Sequence, residues 1–363
     1  MMLGLDTPKK QGIFGTYVML WVSSHVLVYA SKMPGARQYN TTSVVLITEA
    51  VKLVMALAFY LRYDGDAAQL VREVRGSTDL LLQYIVPALL YCVYNNLVYA
   101  NLSHFDPGTY NVLMQLRIVL TGVIYQVCVP FLSCDIATAL SHCLSLLLSP
   151  APLSRLWQYA FAKRLNRNQW AAIVLIAFGC MVKESAKMAS SAAIQQNGTA
   201  WLLLLAQMLS SVCAGVYNEV LLKGDATNGD GSMVVSTNLQ NGYMYLNSAV
   251  WNVAVLAYQG RLAEAASAPN LAAVCSPIVL SIVAIMSSVG LVTGFFLRHL
   301  DSVLKAVASA LEVMLTMVAS AVLFGIAIDA RAALSALLVG GGVALYARPR
   351  STPYERVATS EKS

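Results

Sequence analysis

The chain has 363 residues, of which 58% are hydrophobic and only 12% charged, with a mean hydropathy of +0.62. Soluble domains carry about 25% charged residues, so this composition excludes a soluble domain with a single anchor and points to an all-α, multi-spanning membrane protein. The net charge of +6 is spread between apolar runs without a basic face or base-stacking module, so no nucleic-acid partner is expected.

Ten apolar segments have about the length of a membrane helix. They run over 13–31, 41–61, 80–101, 107–126, 169–183, 198–222, 239–259, 274–297, 302–324 and 329–347. The first is long enough to span and lacks a small-residue cleavage site, so it reads as a retained helix. Polar connections fall at 62–79, 163–169 and 224–236, with a polar tail at 348–363. Lys and Arg set the orientation. With both ends cytosolic, fifteen lie on that side, against six (Lys32, Arg37, Lys183, Lys187, Arg261 and Arg331) on the other. Both termini are therefore expected in the cytosol. The sequons at Asn40, Asn101 and Asn197 then face the far side. The seven cysteines form no CxxC pair and the four histidines no ligand spacing, so neither a metal nor a cofactor is expected.

At an offset of 195, residues 102–121 echo 297–316: His104 meets His299, Asp106 meets Asp301, Tyr110 meets Lys305, Arg117 meets Glu312 and Thr121 meets Thr316. Five spans per half would invert the second copy. This 5+5 inverted repeat around a central site is a recurrent transporter plan.

The polar residues inside the spans are the candidate site, because an ionised group near the bilayer centre costs roughly 2.5–3.5 kcal/mol even on the lenient insertion scale. Glu49 and Lys52, three apart, share one helix face; they form either a structural ion pair or part of a cavity. Asn95 and Asn96 can donate and accept hydrogen bonds, to a nucleobase edge or to a neighbouring helix. Tyr110 and Arg117, seven apart, share a face, with a ring that can stack and a guanidinium that can grip phosphate. Glu312, the repeat partner of Arg117, is expected to lie near it and to compete with ligand phosphate for it.

The segments TTSVVLITEAVKL (41–53), VPALLYCVYNNLVYANLSHFDPGTYNVLMQLRI (86–118), AGVYNEVLLK (214–223), NLQ (238–240) and GLVTGFFLRHLDSVLKAVASALEVMLTMVASAVLFG (290–325) together resemble nucleotide-sugar transporters of the CMP-sialic acid, UDP-galactose and UDP-N-acetylglucosamine type, within the drug/metabolite transporter superfamily. The resemblance implies ten helices and antiport of a cytosolic nucleotide sugar for a lumenal nucleoside monophosphate, in a Golgi or ER membrane. It puts Glu49 and Lys52 at the nucleotide end of the cavity. It matches Tyr217 and Lys223 to family positions on helix six, where Lys223 either lines the site or snorkels. It assigns Arg298 and Lys305 to the diphosphate, although both also fit the cytosolic charge bias. Asn111 and Met114 depart from the family's glutamine and tyrosine, which leaves the choice of sugar and base open. UDP-sugars are favoured as the broader class. A homodimer or association with glycosyltransferases is a further partner expectation. The alternatives are a broader metabolite exporter of the same superfamily and a transport-inactive scaffold for glycosyltransferases. A membrane enzyme is the weakest reading, because no nucleophile–base pair or activated carboxylate pair appears.

One segment does not fit. Residues 127–158 interrupt the fourth helix, and removing them joins Gln126 to Tyr159 in an uninterrupted helix with a basic turn. The segment begins with Val and ends with Gln, as a translated intron would, and its end is rich in Leu, Ser and Pro. It reads as a retained intron or gene-model error, with a genuine insertion as the alternative.

Overall fold

The computed structural model describes residues 5–31, 39–105, 110, 113–124, 165–185, 198–224, 235–325 and 327–347. Among these, every regular element is helical. Residues 127–158 and the tail 348–363 lie outside the described residues.

Fourteen α-helices follow in chain order: α1 (Pro8–Ala30), α2 (Thr41–Phe59), α3 (Ala67–Gly76), α4 (Thr78–Gln83), α5 (Ile85–His104), α6 (Leu116–Val123), α7 (Arg167–Ser185), α8 (Gly198–Gly224), α9 (Thr237–Tyr258), α10 (Leu262–Ala265), α11 (Ala268–Val274), α12 (Pro277–His299), α13 (Ser302–Phe324) and α14 (Ala330–Tyr346). Six stretches of described residues are long and apolar enough to cross a membrane: Pro8–Ala30, Ser43–Asp64, Thr78–Leu102, Gly198–Lys223, Pro277–His299 and Ser302–Phe324. Large apolar side chains such as Val54, Leu202, Val322 and Leu337 stay exposed on these helices and on α14, as lipid-facing residues must.

Helix starts follow local chemistry. An Ncap side chain satisfies one of the backbone N–H groups left unpaired in the first turn. Thr7 does this for α1, Ser236 for α9, Asp301 for α13 and Asp329 for α14. Pro8 and Pro277 occupy the first turn, where no amide hydrogen is needed. The helix α13 ends at Gly325, whose φ of 66° closes the C-terminus in the left-handed region.

The connection 62–79 is not a polar loop. A π-helical turn over Tyr60–Asp64 leads into the amphipathic helix α3, capped by Asp66, and then into α4. Part of its polar side is bonded inward: Gln69 donates to the buried Glu73 at 2.8 Å, and Ser77 meets the Tyr243 hydroxyl at 2.6 Å. Tyr84 donates to Gln240 at 2.8 Å, and Asn238 donates to Asp64 at 2.9 Å. This network ties α3, α4 and the start of α5 to the start of α9.

Packing partners come in a regular pattern. The helix α1 packs on α12 and α13, and α8 packs on α5 and α6. The helix α2 packs on α9 and α12, and α9 also packs on α5. The helices α7 and α14 pack closely on each other. Glycine makes that last approach feasible: a Cβ on Gly342 would lie 2.6 Å from Ile176 Cγ1 and 3.1 Å from the Ala172 carbonyl oxygen. Small residues at such crossings are the usual solution in lipid.

Gly342→Val is therefore expected to lower stability by about 1–3 kcal/mol through overpacking, whereas Gly341→Ala, with open space around its Cβ, is expected to be near neutral. Thermal unfolding of the purified protein in detergent distinguishes the two.

Candidate functional site

The cations inside the spans fall into two groups. Lys52 pairs with Glu49 at 2.8 Å, and both side chains are largely buried. The Lys52 ammonium also sits 5.6 Å from the centre of the Tyr245 ring, a cation–π distance. Gly290 on α12 makes room for both, since a Cβ there would lie 3.0 Å from the Lys52 stem and from the Tyr245 hydroxyl. Lys223 pairs with Glu219 at 2.6 Å and donates to the Leu300 carbonyl. The second oxygen of Glu219 accepts from the Ser302 amide at 2.7 Å and the Ser302 hydroxyl at 2.6 Å. This buried carboxylate thus caps the N-terminus of α13, where the helix dipole favours negative charge, and ties α8 to α13. Lys223 is held inside the protein by this cluster and does not snorkel.

Arg117 and Lys305 form the second group: neither has a carboxylate within ion-pair distance among the described residues. Arg117 donates to the Tyr94 hydroxyl and to the Ser211 hydroxyl, both at 3.2 Å. Its guanidinium carbon lies 5.9 Å from the Tyr94 ring centre. The Lys305 ammonium lies 5.8 Å from the Tyr91 ring centre, and Tyr91, Tyr17 and Arg117 are its electrostatic neighbours. Tyr91 and Tyr94 are three residues apart on one face of α5, and Asn95, exposed, shares that face. Two cations on two helices therefore converge on aromatic rings and hydroxyls.

The other expected residues take varied places. Glu312 is buried and pairs with His25 at 3.0 Å, so the expected neighbour Arg117 is replaced by a histidine on α1. Tyr110 is buried among Phe105, Met114, Leu204 and Met208. Its hydroxyl accepts from Gln207 at 2.7 Å, and Gln207 in turn accepts from Asn101 at 2.7 Å. Its ring packs against α8 and is not presented for stacking on a base. Asn101 is fully buried, with its amide nitrogen engaged, so this packing has no room for a glycan at that sequon. Asn96 donates to the Cys92 carbonyl of its own helix at 2.8 Å and accepts from Gln259, at the end of α9, at 3.2 Å. Tyr217 packs with the cluster around Leu221 and Tyr243. Arg298 lies at the end of α12, with one terminal nitrogen buried and unpartnered; Lys9 and Lys10 are near the same helix end. Asn111 lies outside the described residues.

Sequence reasoning missed Tyr17, Tyr91, Tyr94, Ser211, Tyr245 and His25. Tyr91 and Tyr94 carried a usable signal, since they sit one turn before and beside Asn95. Nothing local marks Ser211 or His25, whose partners are 94 and 287 residues away in the chain.

A bundle of apolar helices, in which two interior cations face tyrosines and meet no carboxylate among the described residues, defines a polytopic membrane protein. The comparisons place it more closely. The model of the family described as "Nucleotide-sugar transporter" matches residues 11–150 and 154–347, and the chain belongs to that family. A UDP-galactose transporter of Drosophila melanogaster (senju) is 34% identical over 92% of this chain and 85% of its own length. A UDP-galactose translocator of Mus musculus is 30% identical over 89% and 74%. CMP-sialic acid transporter 2 of Oryza sativa subsp. japonica is 23% identical over 96% and 87%. A crystal structure at 15% identity shares the fold, with a TM-score of 0.61 over 94% of this chain and 96% of that one.

Removing one partner of a buried ion pair leaves an uncompensated charge. Glu219→Ala strands Lys223 and uncaps α13, and is expected to cost about 3–5 kcal/mol. Glu219→Gln keeps an acceptor for Ser302 and is expected to cost less. Thermal melts of the two variants in detergent, side by side, test the assignment.

Proposed function

We propose that the protein is an antiporter that exchanges a cytosolic pyrimidine nucleotide sugar, a UDP-sugar first, for a lumenal nucleoside monophosphate by alternating access. One observation carries this reading: Lys305 and Arg117 lie inside the bundle with hydroxyls and rings for neighbours but no carboxylate among the described residues. Unneutralised cations in a low-dielectric interior attract a di-anionic group strongly, and a guanidinium suits phosphate bidentately. The tyrosines beside them offer faces for a base, and Asn95 offers a donor and an acceptor to its edge. The Glu49–Lys52 pair with Tyr245 lines the nucleotide end. The names of the animal relatives favour a UDP-sugar.

The packing pattern supports ten helices in a 5+5 inverted repeat. Exchanging the two halves converts α1 on α12 into α8 on α5, and α1 on α13 into α8 on α6. It also converts α2 on α12 into α9 on α5, while α2 with α9 and α7 with α14 map onto themselves. Each of these pairings occurs. Such a two-fold lets one half rock against the other around a fixed site. The bias of Lys and Arg supports cytosolic termini, and the family supports a Golgi membrane. For residues 127–158 the proposal, drawn from the interrupted fourth span alone, is a retained intron that the functional transcript lacks, although the family match runs through all of them but 151–153.

Vesicles reconstituted with the protein and preloaded with UMP test the activity. Uptake of labelled UDP-galactose is expected to rise with lumenal UMP, and no trans-stimulation by any nucleoside monophosphate would exclude an exchanger. Arg117→Ala and Lys305→Ala are each expected to lower the rate at least about tenfold, as truncation of a desolvated, ligand-pairing charge does. Arg117→Lys, which keeps charge but loses the planar fork, is expected to fall between.

A further inference from the structure

Beside the cationic pair lies a second polar cluster that the phosphate reading does not use. On α13, Glu312 is seven residues beyond Lys305 and so on the same face, about 10.5 Å further along the axis. That is the scale of a diphosphate and one hexose end to end. Tyr17 of α1 is an electrostatic neighbour of both Lys305 and Glu312, so it lies between them. One oxygen of Glu312, Oε1, meets His25 Nδ1 at 3.0 Å. The other, Oε2, carries no hydrogen bond among the described residues and is not sealed from solvent.

His25 shows which way the cluster faces. Its helix neighbours on the same side, Val18 and Val22, are buried, and Trp21 is partly so. The side chain of His25 is nonetheless 47% exposed. The imidazole is thus reachable from outside the packed helices while the carboxylate it pairs with is buried. The imidazole stacks on the Trp21 ring, with centroids 5.7 Å apart at 24°. The Trp21 indole N–H is buried beside the Tyr17 hydroxyl. Lys183, also near His25, is turned to the Val313 carbonyl at 3.4 Å.

An exposed imidazole, a carboxylate with a spare oxygen and an indole ring are the chemistry that holds sugars. Hydroxyls donate to the carboxylate, and the ring covers apolar C–H faces. We propose that His25 and Glu312, with Tyr17 and Trp21, form the glycosyl subsite, and that Glu312 selects a neutral, hydroxyl-rich sugar over an acidic one. This rests on the nucleotide-sugar reading of Arg117 and Lys305. A carboxylate repels a sugar carboxylate, and specificity commonly needs such a repulsive element. His25, the partner of Glu312, moderates that repulsion.

The test compares labelled UDP-galactose with labelled UDP-glucuronic acid, which share the nucleotide and differ in sugar charge. Uptake by the full chain in UMP-loaded vesicles is expected to favour UDP-galactose at least about tenfold, the scale at which one misplaced polar group discriminates. Glu312→Gln is expected to collapse that ratio toward one. Glu312→Asp is expected to keep it, and His25→Ala to widen it. Opposite movements of the ratio for the two members of a pair would not follow from a merely structural role. If Glu312→Gln transports too slowly, displacement of labelled UMP from the solubilised protein by the two sugars gives the same ratio. A wild-type ratio near one, or a ratio unmoved by Glu312→Gln, overturns the subsite while leaving the exchanger intact. A wild type that exchanges UMP for neither nucleotide sugar overturns the exchanger reading, and the subsite with it.

Discussion

A charge buried among membrane helices must be answered, because lipid offers no water and the cost of an isolated ion is several kcal/mol. This constraint sorts the interior basic residues. Lys52 is answered by Glu49 and Lys223 by Glu219, each from the same helix at a spacing of three or four. Arg117 and Lys305 are answered by tyrosine rings and hydroxyls. Rings and hydroxyls lower the cost of a cation without cancelling its charge. The first two pairs can stay closed in every state of the protein, while the second pair retains an unmet attraction for an anion. The four cations are thereby separated by their partners, two held by a carboxylate of their own helix and two meeting none among the described residues.

The same separation explains the caps and ties around the site. Glu219 meets Lys223 and the first turn of α13 together, so the helix that carries Lys305 is fixed to α8 one turn away from it. On the other side, Gln207 bridges Asn101 and Tyr110 and fixes α5 and the chain leading to α6 against α8. Lys305 and Arg117 are therefore each carried on an element tied to α8. Relative motion of these two cations is limited by that shared support, which suits a site that must survive rocking of the helices around it.

Much of the fold could be read in the sequence, because lipid imposes length and hydropathy so strictly. Span 302–324 coincides with the observed helix, since Asp301 caps its start and Gly325 ends it. The helix over 67–76 was hidden because it is too short and too charged to read as a span, and its one buried residue, Glu73, is ionisable. For the candidate site, residue type marked Arg117 and Lys305, but their partners Tyr94, Ser211 and Tyr91 lie far off in the chain. Tyr110 shows the limit. Its spacing from Arg117 predicted one shared face, and both do reach α8, but Tyr110 meets Gln207 within an apolar cluster while Arg117 meets the Ser211 and Tyr94 hydroxyls, so seven residues do not guarantee one environment. Glu312 shows the converse: its neighbour was misjudged as Arg117, while its place inside the bundle was correct.

In the proposed repeat, Arg117 and Glu312 occupy equivalent positions, and each reaches the first helix of the other half, though at different points along it. Arg117 reaches from the fourth span to Ser211 on the first helix of the second half, and Glu312 reaches from the ninth span to His25 on the first helix of the first half. The backbone relation is thus kept while the charge is inverted. Two arginines at these positions would give a site with no preferred direction, able to hold a phosphate at either end. One arginine and one glutamate give the interior a cationic end and an anionic end. A nucleotide sugar has the same polarity, phosphates at one side of the glycosidic bond and hydroxyls at the other. A symmetric scaffold can then rock evenly between its two faces, while the inverted charge pair holds an asymmetric substrate in a single orientation throughout.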